Sequence, residues 1–312
     1  MSEPIAHKIS VVICTYNRAA YLGQAIESLL VQDFDDFEGV IVDNASTDNT
    51  KQVVAPYLQD RRIRYVYESK QGLSHARNCG FEVTKSPVIA YMDDDAIAAK
   101  NWLTELWKVY ENDPRIGVAG GRVDLLWPQG YSHPGWLSQN LAGHLGAYNL
   151  GKDIRFITDP GMTPRGVNYS MRRDVWEALD GFDATLGRSG KNLLSNEELY
   201  MTQRVLEAGW KVAYVPEAIV DHQVAPERTK KRWFLSRGWW QGISEYHRQE
   251  LCGETSSGRM LRGTEGMLRG LAKCVKYINN LPMCFDNLVY AYSQLGYLTA
   301  LVKGKGNTSG KS

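Results

Sequence analysis

The 312-residue chain lacks the features of a stapled, secreted or membrane-spanning protein. Its five cysteines (Cys14, Cys79, Cys252, Cys274, Cys284) form no Cys-x-x-Cys pair and no metal-ligand spacing. An odd, scattered set argues against a disulfide framework and for a reducing compartment. The opening segment MSEPIAHKIS has no apolar signal core. No run of about 18 apolar residues exists, so no segment is expected to span a bilayer. These absences together predict a cytoplasmic location. With 11 prolines and 29 glycines, collagen-like and low-complexity readings fail. A dominant charge is also missing, at 36 Lys and Arg against 35 Asp and Glu. Nucleic acid is therefore not an expected partner.

The composition that remains is globular. Hydrophobic residues make up 43% of the chain, enough to bury a large core unaided. Charge is distributed unevenly. From Pro226 onward there are 14 Lys and Arg against 6 Asp and Glu, a net +8, which leaves −7 on residues 1–225. An acidic body with a basic tail divides the chain into one domain, 1–225, and a C-terminal extension, 226–312.

Strand and helix patterns alternate at short intervals. Residues 8–14, 37–42, 63–68 and 87–92 read as strands, with helices at 20–32, 48–58 and 73–83. Such alternation predicts a mostly parallel α/β sheet, whose ligands bind beyond the carboxyl ends of its strands. Polar clusters at 15–18, 43–48 and 93–95 all fall at such ends. The stretch 117–168 reads as loop-rich, 171–179 and 197–208 as helices, and 212–222 as a late strand.

Asp93-Asp94-Asp95 is the strongest local signal. Three adjacent carboxylates repel one another and persist cheaply only if solvated or neutralised. A solvated acidic turn is one reading. A bound Mg²⁺ or Mn²⁺ is the other, since both ions favour oxygen ligands and phosphate co-ligands. The two further polar clusters at neighbouring strand ends favour a site.

Five segments, SVVICTYNR, VDNASTDNT, GLSHARNCG, YMDDDA and NEELYMTQRVLEAGW, together resemble family 2 glycosyltransferases of the Rossmann-like GT-A fold. The resemblance covers residues 8–224. It implies transfer of a sugar from a nucleoside diphosphate donor to an acceptor hydroxyl, with inversion. It also implies residue roles. Thr15 and Tyr16 would line the nucleobase pocket, with Arg18 a further nucleotide ligand. Asp43 and Asn44 match an Asp-Asp pair whose second member commonly accepts the uracil N–H. Asn44 departs from that pattern, which leaves thymidine beside the favoured uridine. Arg77 would approach the diphosphate. Asp93 and Asp95 match the DXD motif, with Asp95 on the metal and Asp93 or Asp94 on ribose or a metal-bound water. Glu198 takes the place of the catalytic base, one methylene longer than the family's Asp, and Glu197 is the alternative. Without the family frame, Glu197-Glu198 reads as an acidic first helical turn, with Asn196 as its N-cap. His222 matches a metal ligand of several GT-A enzymes, although a strand-end His bonded to backbone reads equally well.

Acceptor contacts are less defined. Trp136 could stack on a sugar ring or simply pack, and Asn168 resembles the family's GxN acceptor segment. The acceptor expected is a saccharide or lipid-linked saccharide of surface polysaccharide or glycolipid assembly. The basic, Trp-rich tail predicts helices at 259–278 and beyond Pro282. Either these helices contact the inner face of the membrane peripherally, or they form a helical cap or dimer interface. Three rivals share parts of this pattern: a retaining transferase, a nucleotidyltransferase and a non-catalytic sugar-binding scaffold. The nucleotidyltransferase would need a GGxGTRL-type loop after the first strand, which this sequence lacks.

Overall fold

The β-branched run ISVVICT forms strand β1 (Ile9–Thr15), buried along nearly all its length because strands flank it on both sides. The computed structural model describes residues 7–190, 192–254 and 258–308; the opening segment read above for a leader lies mostly outside them. After β1 come α1 (Ala19–Leu30), β2 (Phe37–Asp43), α2 (Thr50–Val54), β3 (Ile63–Tyr67), α3 (Leu73–Glu82) and β4 (Val88–Asp93). Next are β5 (Ala96–Ala98), α4 (Trp102–Asn112), β6 (Ile116–Leu126), α5 (Gln139–Ala142), β7 (Arg155–Ile157) and β8 (Asn168–Arg172). The chain continues through α6 (Arg173–Ala178), α7 (Glu197–Glu207) and β9 (Lys211–Gln223) into three long helices, α8 (Lys231–Leu251), α9 (Arg259–Lys276) and α10 (Leu281–Thr308).

These residues fall into two units. The first comprises the chain up to Leu126 with Gly146–Ala184 and Glu197–Gln223, and it contains the whole sheet. The second gathers Trp127–Leu145, Thr185–Asn196 and the chain from Val224 onward. In the first unit the strand order is β3-β2-β1-β4-β8-β6-β9-β5, with β7 on β9. The run β3-β2-β1-β4 is parallel throughout, β6 and β9 are parallel, and β8 is antiparallel between β4 and β6. Register decides where the chemistry can sit. Thr15 pairs with Asp43 and Cys14 with Asp93, so the carboxyl ends of β1, β2 and β4 lie side by side.

Two expectations are corrected. Residues 171–179 read as one helix, but β8 runs to Arg172 and α6 begins at Arg173. The pairing of β8 with distant β4 and β6 overrides the local pattern. Residues 117–168 read as loop-rich, yet β6 crosses the sheet through Gly120-Gly121. Glycines ordinarily weaken a strand, but here bulk is excluded. A Cβ on Gly120 would overlap the Asn168 carbonyl oxygen, and one on Gly121 the Ala218 carbonyl oxygen. The close approach on Gly121 comes from an irregularity in β9, whose pairing jumps from Val215 to Val220 between Gly121 and Val123.

In the second unit, Trp136 packs edge-on against Phe234 and Phe285, with ring centroids 5.3 and 5.1 Å away. Trp233 packs edge-on against Phe234 as well. The Trp-basic adjacency of the tail is thus partly an internal aromatic cluster. Cys274 Sγ lies 3.0 Å from Cys284 Sγ, a proximity that sequence spacing did not reveal. Among the described residues, no helix is long and apolar enough to cross a membrane.

Gly121→Ala is expected to destabilise the protein by about 1–3 kcal/mol through overpacking. Gly135→Ala, where an added Cβ meets open space, should change stability by less than about 0.5 kcal/mol. Denaturant midpoints of the two variants check this contrast.

Candidate active site

The loops after β1 and β2 are tied together before any ligand is considered. Asn17 adopts a left-handed backbone, φ 53°. Its Oδ1 accepts from the Thr47 and Asp48 backbone N–H groups at 2.7 and 3.2 Å. Asp43 is buried and engaged on both oxygens, by the Ser46 N–H at 2.9 Å and the Tyr65 hydroxyl at 2.6 Å. Asn44 explains its own departure from a carboxylate. Its Oδ1 accepts from Gly72 N–H at 2.7 Å while its Nδ2 donates to the Lys70 carbonyl at 2.7 Å. A carboxylate could make the first bond but has no proton for the second. Thr15 is buried, and Tyr16 is half-buried beside it.

The aspartate triplet lies on the same rim. Asp94 and Asp95 are buried and Asp93 is half-buried. Burial and the Asp95 charge push the Asp94 carboxyl up to about 7, against the pull of Arg18. Such a shift is the signature of too much negative charge held out of water. Arg18 answers part of it, binding Asp95 Oδ2 and lying 3.6 Å from Asp94 Oδ1. His222 also engages Asp95, its Nε2 2.9 Å from Asp95 Oδ1. The pairing of β5 with β9 places His222 opposite Ala96, one residue from Asp95. Asp93, Asp95 and His222 each offer a ligand atom, and these atoms lie within 4.8 Å of one another. Two carboxylate oxygens and an imidazole form a donor set that fits Mn²⁺, and its oxygens also suit Mg²⁺.

A second charged cluster joins α3 to the start of α7. Arg77 is buried, and its Nη1 and Nη2 donate to Glu197 Oε1 and Glu198 Oε1, each at 3.0 Å. The guanidinium also sits over the Tyr91 and Phe182 rings. Burial alone would ease the proton off Arg77, but Glu198, Glu197 and Asp93 hold it far more tightly than usual. Burial alone would raise the Glu198 carboxyl, and Arg77 reverses this and holds it below its ordinary value. Glu198 is therefore ionised throughout the neutral range. Gly166 lies directly on this pair, and a Cβ there would overlap Glu198 Oε1 and Arg77 Nη2. Arg165 beside it stacks on Tyr148 at 5.2 Å, and its Nε is buried without a hydrogen-bond partner. Burial lowers its proton affinity, partly offset by Tyr148 and Glu198.

The remaining named residues are placed differently. Asn168 is fully buried, accepting from Trp102 Nε1 at 2.9 Å and donating to the Ala218 and Arg122 carbonyls. Its amide is used in holding strands together. Trp136 belongs to the aromatic cluster of the second unit. Asn196, the candidate N-cap, has φ 76° and accepts from Gln241 Nε2 at 2.7 Å. Sequence reasoning missed the Arg77 clamp on Glu197 and Glu198, the Arg18 contact with Asp95, and the close seat of Gly166. Nothing local links Arg77 to carboxylates 120 residues away.

A mixed α/β sheet with an acidic rim at its parallel strand ends is the architecture of GT-A glycosyltransferases. The family model of glycosyl transferase family 2 matches residues 10–174, and the chain belongs to that family. A glucosyl-dolichyl phosphate glucuronosyltransferase of Haloferax volcanii is 29% identical over 244 residues, 76% of each chain. A validoxylamine A glucosyltransferase of Streptomyces hygroscopicus is 38% identical over 127 residues, 39% of this chain and 29% of its own. Among solved structures, the mannosyltransferase PcManGT from Pyrobaculum calidifontis, in complex with GDP-Man and Mn²⁺, aligns at TM-score 0.58 and 16% identity, covering 96% of this chain and 76% of its own. S. aureus TarS 1-349 in complex with UDP aligns at TM-score 0.52 and 17% identity, covering 96% and 92%. The structural likeness establishes the fold. Family membership and the named relatives together make this protein a glycosyltransferase.

Arg77→Leu strands the buried Glu197 carboxylate and the half-buried Glu198 beside it and is expected to cost about 3–5 kcal/mol in chemical denaturation. Arg77→Leu combined with Glu197→Leu should recover part of that loss.

Proposed function

We propose that the protein transfers a glycosyl group from a nucleoside diphosphate sugar to an acceptor hydroxyl, with inversion, in a reaction that requires Mn²⁺ or Mg²⁺. The observation that carries this reading is the donor set of Asp93, Asp95 and His222 at the end of β4, within 4.8 Å. A divalent ion held there would neutralise charge on the departing nucleoside diphosphate. A cation held there would draw on the same Asp95 carboxylate that Arg18 binds, and Arg18 would then be available to the nucleotide. Thr15, Tyr16 and Asp43 line the nucleoside side, with Asn44 acting through the 68–72 loop that it holds and Asp94 on the ribose side. Uridine is the favoured base and thymidine the second candidate.

Glu198 is assigned as the base. Its side chain is 17% exposed against 3% for Glu197, so an acceptor hydroxyl reaches Glu198 more readily. As the hydroxyl oxygen bonds the anomeric carbon, its proton passes to the Glu198 carboxylate. The anomeric C–O bond breaks on the opposite face, and its electron pair leaves with the nucleoside diphosphate. Such in-line displacement inverts the anomeric centre. Arg77 keeps Glu198 ionised and fixed in position; in this reading it supports the base, and the diphosphate contact expected of it passes to Arg18.

A lipid-linked saccharide is the favoured acceptor, in surface polysaccharide or glycolipid assembly. The Haloferax volcanii relative supports this, since its name includes glucosyl-dolichyl phosphate. In this proposal residues 1–225 carry the transfer, and the helical extension 226–312 lies peripherally at the inner face of the membrane.

Turnover of UDP-, dTDP- and GDP-sugars, followed by NMR of the product anomer, tests the reading. Glu198→Gln should lower kcat by about 10²–10⁴-fold with donor affinity retained. Asp95→Ala should abolish metal-dependent donor binding. Removing the ion with chelator should stop turnover, and Mn²⁺ should restore it. Undiminished turnover in both variants would overturn the assignment.

A further inference from the structure

An amphipathic helix normally turns its apolar face toward the protein, but α9 does the reverse. Its buried face is lined by Gly263, Gly266 and Gly270, which allow α10 to approach closely. A Cβ on Gly263 would stand 2.8 Å from Leu298 Cδ2, and one on Gly270 3.0 Å from the Asn287 carbonyl oxygen. At 100° per residue, this glycine face excludes the large apolar side chains, which turn outward. Leu261 is 63% exposed, Leu268 57%, Val275 71%, and Ile278, just past the helix, 64%. Leu271 is exposed with them. These side chains share one arc of the helix, and Arg262, Arg269, Lys273 and Lys276 occupy the arc beside it, all exposed. Glu265 is the one acidic residue in α9.

We propose that this face of α9 docks on an anionic phospholipid bilayer, lying in the interface plane with its leucines and valine among the acyl chains and its basic arc on the headgroups. Water is a poor solvent for a contiguous stripe of this kind, and such a stripe marks an interaction surface. The charges select the occupant. A second copy seated face to face would bring two basic arcs together, with Glu265 alone to answer each. An anionic surface answers all four cations at once. Lys and Arg bordering an exposed apolar stripe are what an interfacial helix presents. No described helix is long and apolar enough to cross a membrane, so α9 would lie on the bilayer rather than span it. The inference deepens the membrane reading given above, and it stands independently of the transfer chemistry because vesicle binding needs neither donor nor metal.

The test is co-sedimentation of the full chain with phosphatidylcholine vesicles, with and without phosphatidylglycerol, alongside light scattering in vesicle-free buffer. Wild type should bind the phosphatidylglycerol vesicles and lose binding as salt is raised. The double variant L268E/V275E should lower partitioning by more than about tenfold. Because both side chains are exposed, its far-UV circular dichroism should match wild type. Replacing Arg262, Arg269, Lys273 and Lys276 with Gln should lower binding about fivefold per charge removed. Failure of wild type to sediment with anionic vesicles would overturn the proposal, as would equal binding by L268E/V275E. So would a wild-type dimer that L268E/V275E dissociates, with no vesicle binding by either protein.

Discussion

The structure depends on holding more buried carboxylate than its own cations comfortably neutralise. Asp93 ends β4 with Asp94 and Asp95 in the turn after it, and Glu197 and Glu198 open a helix of the same unit. Arg77 serves the glutamates with a two-pronged clamp. Arg18 serves the aspartates incompletely, as the raised Asp94 carboxyl indicates. The two clusters thus differ in kind. One is clamped on a single guanidinium, which holds the Glu198 carboxyl below its ordinary value. The other carries an excess of negative charge, which an added cation would relieve. A base and a metal-holding group need those two opposite conditions.

The fold supplies both conditions by register. Parallel pairing of β1 with β2 and β4 places Thr15, Asp43 and Asp93 on one rim, and antiparallel β5 draws His222 to Asp95. The strands can crowd together because glycine stands where bulk would collide, at Gly120 and Gly121 in the sheet and at Gly166 on the Arg77–Glu198 pair. Glycine performs the same service in the second unit, where it lets α9 lie against α10 and leaves the helix's apolar side chains outside.

Much of this was legible in the sequence. The first four strands are short apolar runs bounded by polar ends; β1, β2 and β4 are buried along nearly all their length, and edge strand β3 shows through its β-branched and aromatic residues. The triplet Asp93-Asp94-Asp95 stood out by composition alone. The missed elements have a common cause. Strand β8 is defined by partners about 50 and 80 residues away, and β6 runs through a Gly-Gly, a residue type that ordinarily weakens a strand. Pairings across the chain were equally hidden. Arg77 read as a diphosphate ligand from the Ala76-Arg77-Asn78 match to the family, and its carboxylate partner 120 residues on was not visible. Asn44 read as a departure from the family's base-binding pair, and the bridge its amide makes between two backbone groups of the next loop was not visible. The helix at 259–278 was legible, and its large apolar residues fall on one arc by spacing. The direction it faces depended on which side of the helix could lie closest to α10, and the glycines settle that.

The central claim is that the aspartate cluster is tolerated because it holds a divalent ion against a pyrophosphate. Isothermal titration of wild type and Asp95→Ala with UDP, in the presence and absence of Mn²⁺, tests it most directly. The account predicts UDP binding to wild type that strengthens sharply with Mn²⁺, and no such strengthening in Asp95→Ala. Equal affinities with and without the ion in wild type, or the same Mn²⁺ enhancement in both proteins, would contradict it.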